Sequence, residues 1–296
     1  MKLSIHQLEK TYANGVKALN GVNLEIDPGM FGLLGPNGAG KSSLMRTLAG
    51  LQEADKGKVS LGEIDVLNDK STLRQNIGYL PQSFGLYPKV SAEMLLDHFA
   101  ALKGITNRKE RKKLVNELLD KVNLETHRKK HLGGFSGGMK QRFGIAQALI
   151  GNPALLIVDE PTAGLDPAER NRFHNVLSEV GQETIVMLST HIVEDVKDLC
   201  TQMAILNGGQ IRLQGSPADL VASLNGKVWE KAFDKSEVDA QKQKHTVISE
   251  RIFAGQTLIR VHADERPAEG FTAVSPNLED VYFSQLGLHT KNAVTS

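Results

Sequence analysis

The chain has 296 residues, a formal net charge of +1 and one cysteine, Cys200. That length holds one large domain with a small appendage, and the near-neutral balance gives no strong pull toward nucleic acid or an anionic lipid surface. The lone cysteine excludes an intrachain disulfide or a cysteine-rich zinc site and fits a reducing compartment, no apolar run approaches the roughly 18 residues of a membrane span, and Met1-Lys2-Leu3-Ser4-Ile5-His6 lacks a signal-peptide core.

In chain order, Leu8-Glu9-Lys10-Thr11-Tyr12-Ala13-Asn14-Gly15 is a strand-and-turn segment. The apolar run Met30-Phe31-Gly32-Leu33-Leu34 predicts a buried strand and Ser43-Leu44-Met45-Arg46-Thr47-Leu48-Ala49 a helix. Between them, Gly35-Pro36-Asn37-Gly38-Ala39-Gly40-Lys41-Ser42 matches G-x-x-x-x-G-K-S in the strand-to-helix context of a phosphate loop. Glycines at 35, 38 and 40 let the backbone curl with several N–H groups inward, and the helix N-terminus adds its positive dipole end. Lys41 then offers a point charge to the β- and γ-phosphates, and the Ser42 hydroxyl suits Mg²⁺. Gly35, Pro36, Asn37, Gly38, Ala39, Gly40, Lys41, Ser42 and Ser43 are the expected nucleotide-binding residues. Taken alone, the segment also reads as a chance glycine-rich turn.

Gln82 follows in Leu80-Pro81-Gln82-Ser83-Phe84; its amide both donates and accepts, which suits positioning a water. Ser91 caps a helix with Glu93 in its first turn and Met94, Leu95, Phe99 and Leu102 on its apolar face. A second helix, about Arg108 to Val122, opens on the basic run Arg108-Lys109-Glu110-Arg111-Lys112-Lys113, a solvated face, and carries Leu114, Val115, Leu118, Leu119 and Val122. Phe135-Ser136-Gly137-Gly138-Met139-Lys140-Gln141-Arg142 then opens another helix. Elsewhere Ser-Gly-Gly would be a capped helix with a glycine turn; here it is a second anion-binding N-terminus in a chain that already has one.

Ala154-Leu155-Leu156-Ile157-Val158 is continuous and apolar, as in a strand buried on both faces of a parallel sheet, and ends in Asp159-Glu160-Pro161. Beside a phosphate loop, Asp159 can hold Mg²⁺ through water while Glu160 reaches the hydrolytic water; without that loop the pair is an exposed acidic strand end. Gly164-Leu165-Asp166-Pro167 follows, and then the run Thr184-Ile185-Val186-Met187-Leu188, which ends in Ser189-Thr190-His191. Beyond residue 220, Lys227 to Phe233 predicts a strand, Ser236 to Lys244 a polar helix and Thr257 to Val261 another strand, a small mixed appendage.

The ordered set of phosphate loop, Gln82, Ser136-Gly137-Gly138, Asp159-Glu160, Gly164-Leu165-Asp166 and His191 resembles the ATP-binding subunit of ABC transporters over about residues 3 to 220. The resemblance implies an α/β fold: a P-loop NTPase core with a mostly parallel sheet, a helical signature subdomain at about 83–145, and a C-terminal α/β appendage, divided as 1–220 and 221–296. It also implies ATP and Mg²⁺ as cofactors, with Ser42, Gln82 and Asp159 toward the metal and Glu160, Gln82 and His191 in catalysis. Tyr12 takes the place of the aromatic that stacks on adenine, and Ser136, Gly137 and Gly138 reach across a head-to-tail dimer to the partner's ATP. Asp166 faces the opposite subunit, and Phe84, Leu86 and Tyr87 are candidates for coupling contacts. Two positions depart from the commonest pattern: Phe135 replaces an apolar Leu, and Met139 replaces Gln and loses a side-chain amide.

Pro276 to Phe283 resembles the terminal helix of subunits serving efflux permeases, and the run Phe135 to Gln147 points the same way. The function implied is an ATP-hydrolysing subunit that powers a transporter, in the export branch, by dimerisation with a second copy or a paired ATPase subunit. It would couple to separate integral membrane permease subunits and lie in the cytoplasm on the inner face of the membrane, with no nucleic-acid partner. The alternative is a soluble ABC-type ATPase acting on nucleic acid, ribosomes or regulation; the second ATPase domain, long coiled coil or zinc cysteines of such proteins are not in this sequence. A switch that no longer hydrolyses is a third reading, against which Glu160, Gln82 and His191 are all retained.

Overall fold

The computed structural model describes residues 1–253 and 255–290; of the expected region 221–296, residues 254 and 291–296 lie outside them. In chain order the elements are β1 (Leu3–Thr11), β2 (Lys17–Ile26), β3 (Gly29–Leu34), α1 (Lys41–Leu48), β4 (Lys56–Leu61), β5 (Ile64–Asp65), α2 (Lys70–Asn76), β6 (Ile77–Leu80), α3 (Ala92–Leu102), α4 (Arg108–Lys121), α5 (Gly137–Ala148) and β7 (Leu155–Asp159). They continue with α6 (Pro167–Val180), β8 (Ile185–Thr190), α7 (Val193–Leu199), β9 (Gln202–Asn207), β10 (Gln210–Gly215), α8 (Pro217–Ala222), β11 (Val228–Phe233), α9 (Val238–Lys244), β12 (Val247–Phe253), β13 (Gln256–His262), β14 (Thr272–Ala273) and α10 (Leu278–Thr290).

The central sheet has the order β10-β9-β3-β8-β7-β6. All its pairings are parallel except that of β10 with β9, as the mostly parallel expectation requires. Strand period two splits β7 between the faces: Leu155 and Ile157 join a core with Leu44, Met45 and Leu48 of α1, whereas Leu156 and Val158 join the core built with α3 to α7. The first face is closed by an antiparallel sheet, β2-β1-β4-β5, that the sequence reading did not anticipate. Parallel register aligns the strand ends: Leu34 lies opposite Thr190, and Asp159 opposite Ser189. The phosphate loop, the acidic pair and His191 therefore leave the sheet at one edge, the carboxyl edge where such sheets bind ligands.

Ser91 caps α3 as expected, accepting from the Met94 N–H, but the apolar face differs from the expected one. Ala92, Leu95, Leu96 and Ala100 are buried and Phe99 partly so, while Met94 and Leu102 are 63% and 70% exposed. The buried stripe follows the spacing i, i+3, i+4, i+8, on a helix that contacts α4 and α5. In α4, capped by Asn107, Val115, Leu118 and Leu119 are buried and the basic run is solvated, except for Arg111. That guanidinium bonds Asp97 of α3 at 2.9 Å and the carbonyls of Ile105 and Thr106 at 3.1 and 2.8 Å, which ties the two helices together.

The C-terminal strands form an antiparallel sheet, β12-β13-β11-β14, over a small core of Phe233, Val238, Ile259, Val261 and Phe271. Asn277 and Asp280 cap α10 reciprocally, each side chain accepting the other's backbone N–H at 2.9 Å. Arg260 then joins sheet to helix, donating to Glu230 at 2.9 Å and to Asp280 at 2.8 Å. Leu278, Val281 and Tyr282 of α10 return to the large helical core.

Candidate functional site

The phosphate loop owes its path to the absence of side chains. Gly40 has φ +109°, and a Cβ there would stand 2.2 Å from the Ala18 carbonyl oxygen, so only glycine fits. Lys41 follows, 5% exposed, its Nζ donating to the Gly35 carbonyl at 2.6 Å and the Pro36 carbonyl at 3.3 Å. The first turn of α1 carries no acidic residue, so its positive end is unopposed. Loop and helix start line an open cleft of about 300 Å³ with Tyr12, Val16, Gln82 and Glu160. The Tyr12 hydroxyl shares a hydrogen bond with Ser43 Oγ and donates to Gln52 Oε1, both at 2.9 Å, which fixes its ring at the rim.

Glu160 is where the segments meet. Its Oε1 lies 3.3 Å from Lys41 Nζ, and its Oε2 lies 3.3 Å from Gln82 Nε2 and 3.2 Å from His191 Nδ1. Its backbone is left-handed, φ +46°, a conformation that costs a non-glycine residue on the order of 1–3 kcal/mol and persists when neighbours enforce it. The enforcing neighbour is Ser189, whose carbonyl and Oγ accept the Glu160 N–H at 3.0 and 3.3 Å. The same hydroxyl donates to the buried Asp159 carboxylate. Burial, and then the Asp159 charge, push the phenol of Tyr79 on β6 up. Ser189 belongs to no motif of its own; a hydroxyl near the end of an apolar strand is its one signal in the sequence, and the register sets it opposite Asp159.

Ser136-Gly137-Gly138 and Asp166 contribute nothing to their own chain's cleft. Ser136 caps α5, its Oγ accepting the Met139 N–H at 3.2 Å, and Asp166 caps α6, accepting the Glu169 N–H at 2.8 Å. The two helix starts are adjacent, since a Cβ on Gly138 would lie 2.0 Å from Glu169 Oε2. Phe135 is a buried anchor, edge-on to Phe143 at 6.4 Å, and Met139 packs against the helical core. Phe84 and Leu86 also pack inward, whereas Tyr87 is 64% exposed.

A parallel sheet whose carboxyl edge carries a glycine loop, a buried lysine and an acidic strand end is the architecture of a phosphate-loop ATPase. The ABC transporter family model matches residues 19–163. The chain is 37% identical over 219 residues to the uncharacterized ABC transporter ATP-binding protein YxlF of Bacillus subtilis, covering 74% of this chain and 72% of that one. It is 32% identical to the Nod factor export ATP-binding protein I of Rhizobium etli, over 96% and 93% of the two chains. The fold is similar to a dimeric, post-hydrolysis structure of the ATP-binding cassette MJ0796 bound to ADP and Pi, with a TM-score of 0.66, 26% identity and coverage of 72% and 98%. The chain belongs to the ATP-binding subunits of ABC transporters, and it is an ATP hydrolase of that family. Among the described residues, no helix is long and apolar enough to cross a membrane.

Proposed function

We propose that this chain binds Mg-ATP between two head-to-tail ATPase subunits and uses closure and hydrolysis to drive separate membrane permease subunits, with export as the direction. The observation that carries the reading is the meeting of Lys41, Gln82 and His191 on the single carboxylate of Glu160. ATP phosphates carry more negative charge than one carboxylate, so Lys41 and His191 transfer to them on binding. Glu160 is thereby released to orient, or take a proton from, the attacking water that Gln82 also holds. Ser136 and the glycine N–H groups of one subunit complete the γ-phosphate shell of the other, and Asp166 contacts the opposite subunit.

The donors at the cleft fit Mg²⁺. Ser42, whose hydroxyl has no protein partner among the described residues, and Gln82 line the cleft, and the Asp159 carboxylate lies buried beside Glu160 at the strand end, bonded to Ser189. Among the described residues no three His, Cys, Asp or Glu side chains cluster as a dedicated cage, and Mg²⁺ asks for one or two carboxylates beside substrate phosphates. The ion would offset phosphate charge.

Residues 1–220 form the ATPase unit in this reading, with a helical part at about 83–145, and 221–296 the accessory region. The subunit sits in the cytoplasm against its permease on the inner face of the membrane. Export is supported by the likeness to a Nod factor export ATP-binding protein over nearly the whole chain. Glu160→Gln keeps the shape and loses the base; phosphate release from it is expected to fall by about 10²-fold or more with ATP binding retained. Sustained wild-type turnover in that variant would overturn the role of Glu160.

A further inference from the structure

Behind the site, outside the nucleotide cleft, the Asp195 carboxylate of α7 is fully buried and uses both oxygens twice. Oδ2 accepts from Thr162 Oγ1 at 2.6 Å and from Thr190 Oγ1 at 3.2 Å. Oδ1 accepts from Arg170 Nε at 2.7 Å and lies 2.9 Å from His174 Nε2. A carboxylate has about four acceptor positions, and here all four have partners, which is what makes its complete burial tolerable.

The partners come from segments that matter. Thr162 lies two residues after Glu160, and its carbonyl accepts the Leu165 N–H at 3.1 Å, closing the turn that leads to Asp166. Thr190 directly precedes His191, and its hydroxyl also accepts the Ile192 N–H at 2.9 Å, so that His191 stands in a turn held from both sides. Arg170 and His174 belong to α6, the helix that Asp166 caps.

We infer that Asp195 is a positioning residue for ATP hydrolysis. By sharing one oxygen between Thr162 and Thr190 it locks the loop of Glu160 to the loop of His191, and with its other oxygen it locks both to α6. It does not line the nucleotide cleft. The left-handed Glu160 needs such enforcement on its C-terminal side, as Ser189 supplies it through the N–H. A shift of about 1 Å in a reacting group can lower a rate by about 10²-fold, so loosening this lock acts on turnover more than on nucleotide binding. The inference rests on the roles proposed for Glu160 and His191.

The test uses the full chain with Thr162→Val, Thr190→Val and the double variant, which delete hydroxyls at nearly constant shape, and with Thr162→Ser and Thr190→Ser, which keep them. Steady-state phosphate release, equilibrium ATP binding and thermal unfolding are measured for each, with turnover read well below every unfolding midpoint. The valine variants are expected to lose kcat, tenfold or more in the double, with KM and ATP Kd within about threefold of wild type, and the serine variants to recover it. Wild-type kcat in the folded single valine variants would overturn the inference, and so would serine variants as impaired as the valines; the singles decide if the double does not fold. Glu160→Gln, assayed alongside, separates the two claims. If it turns over normally the reading of the site has failed, whereas if it is inactive while the valine variants run at full rate only the Asp195 inference fails.

Discussion

Gly137 and Gly138 stand side by side at the start of α5 under different constraints. A Cβ on Gly138 would run into Glu169, which Arg142 and Arg172 hold in place, so that glycine is required by the chain's own packing. Gly137 is exposed, and a Cβ there meets nothing within 4 Å. Glycine in a helix costs roughly 0.5–1 kcal/mol relative to alanine, so within one chain Gly137→Ala should be neutral or mildly stabilising. In the proposed dimer, what calls for glycine at 137 is the close approach of a second subunit's ATP. Gly137→Ala is therefore expected to keep its thermal midpoint and single-chain ATP affinity while turnover drops about tenfold, checked by thermal unfolding and phosphate release. Unchanged turnover would show that no such approach is needed.

Among the elements, those legible in the sequence are the ones whose pattern is undisturbed. β7 and β8 are solid apolar runs buried between parallel neighbours, and the polar residues that end them, Asp159 and His191, were readable for that reason. β1 was not, because its alternation breaks: Leu3 and Ile5 are buried, but a bulge at Gln7, φ +47°, makes Leu8 the next inward residue. In α3 hydrophobicity alone favours Met94 and Leu102, but the face that is buried carries the smaller Ala92 and Ala100. Lys41, Gln82, Glu160 and His191 were expected at one site and meet there, whereas Ser189 and Asp195 act through hydrogen bonds between distant elements, which no local spacing encodes.

The Asp195 junction of β8, α6 and α7 also carries a pH dependence. Burial pushes its carboxyl up, but the hydrogen bonds of His174 and Thr162 and the charge and hydrogen bond of Arg170 outweigh this and hold it below the ordinary carboxylate value. Asp195 in turn acts on the buried Cys200 thiol, pushed up to about 12 by burial and then by the Asp195 charge. A folded value below the unfolded one gives stability that is complete above the unfolded value of about 3.9 and is lost as pH falls through the folded value. Asp195→Asn is expected to cost about 3 kcal/mol from pH 7 down to about pH 4 and progressively less only below that, read from denaturant midpoints between about pH 2 and 7. A penalty that does not shrink on acidification would contradict the assignment.

At the scale of the whole molecule, the starts of α5 and α6 are adjacent on the surface of a chain whose own cleft they do not enter. In the proposed dimer, one chain carries an ATP cleft and, apart from it, a second helix start suited to an anion, and two copies related head to tail would bring each together with the other's complement. The appendage does not float free of this body, because α10 buries Leu278, Val281 and Tyr282 in the large core and Arg260 holds its first turn. The most direct test of ATP shared between two chains is sedimentation of the Glu160→Gln variant with and without saturating Mg-ATP, nucleotide occupancy being confirmed by titration. The expected result is a monomer without ATP and a dimer with it; a variant that remains monomeric with its site filled would contradict the account.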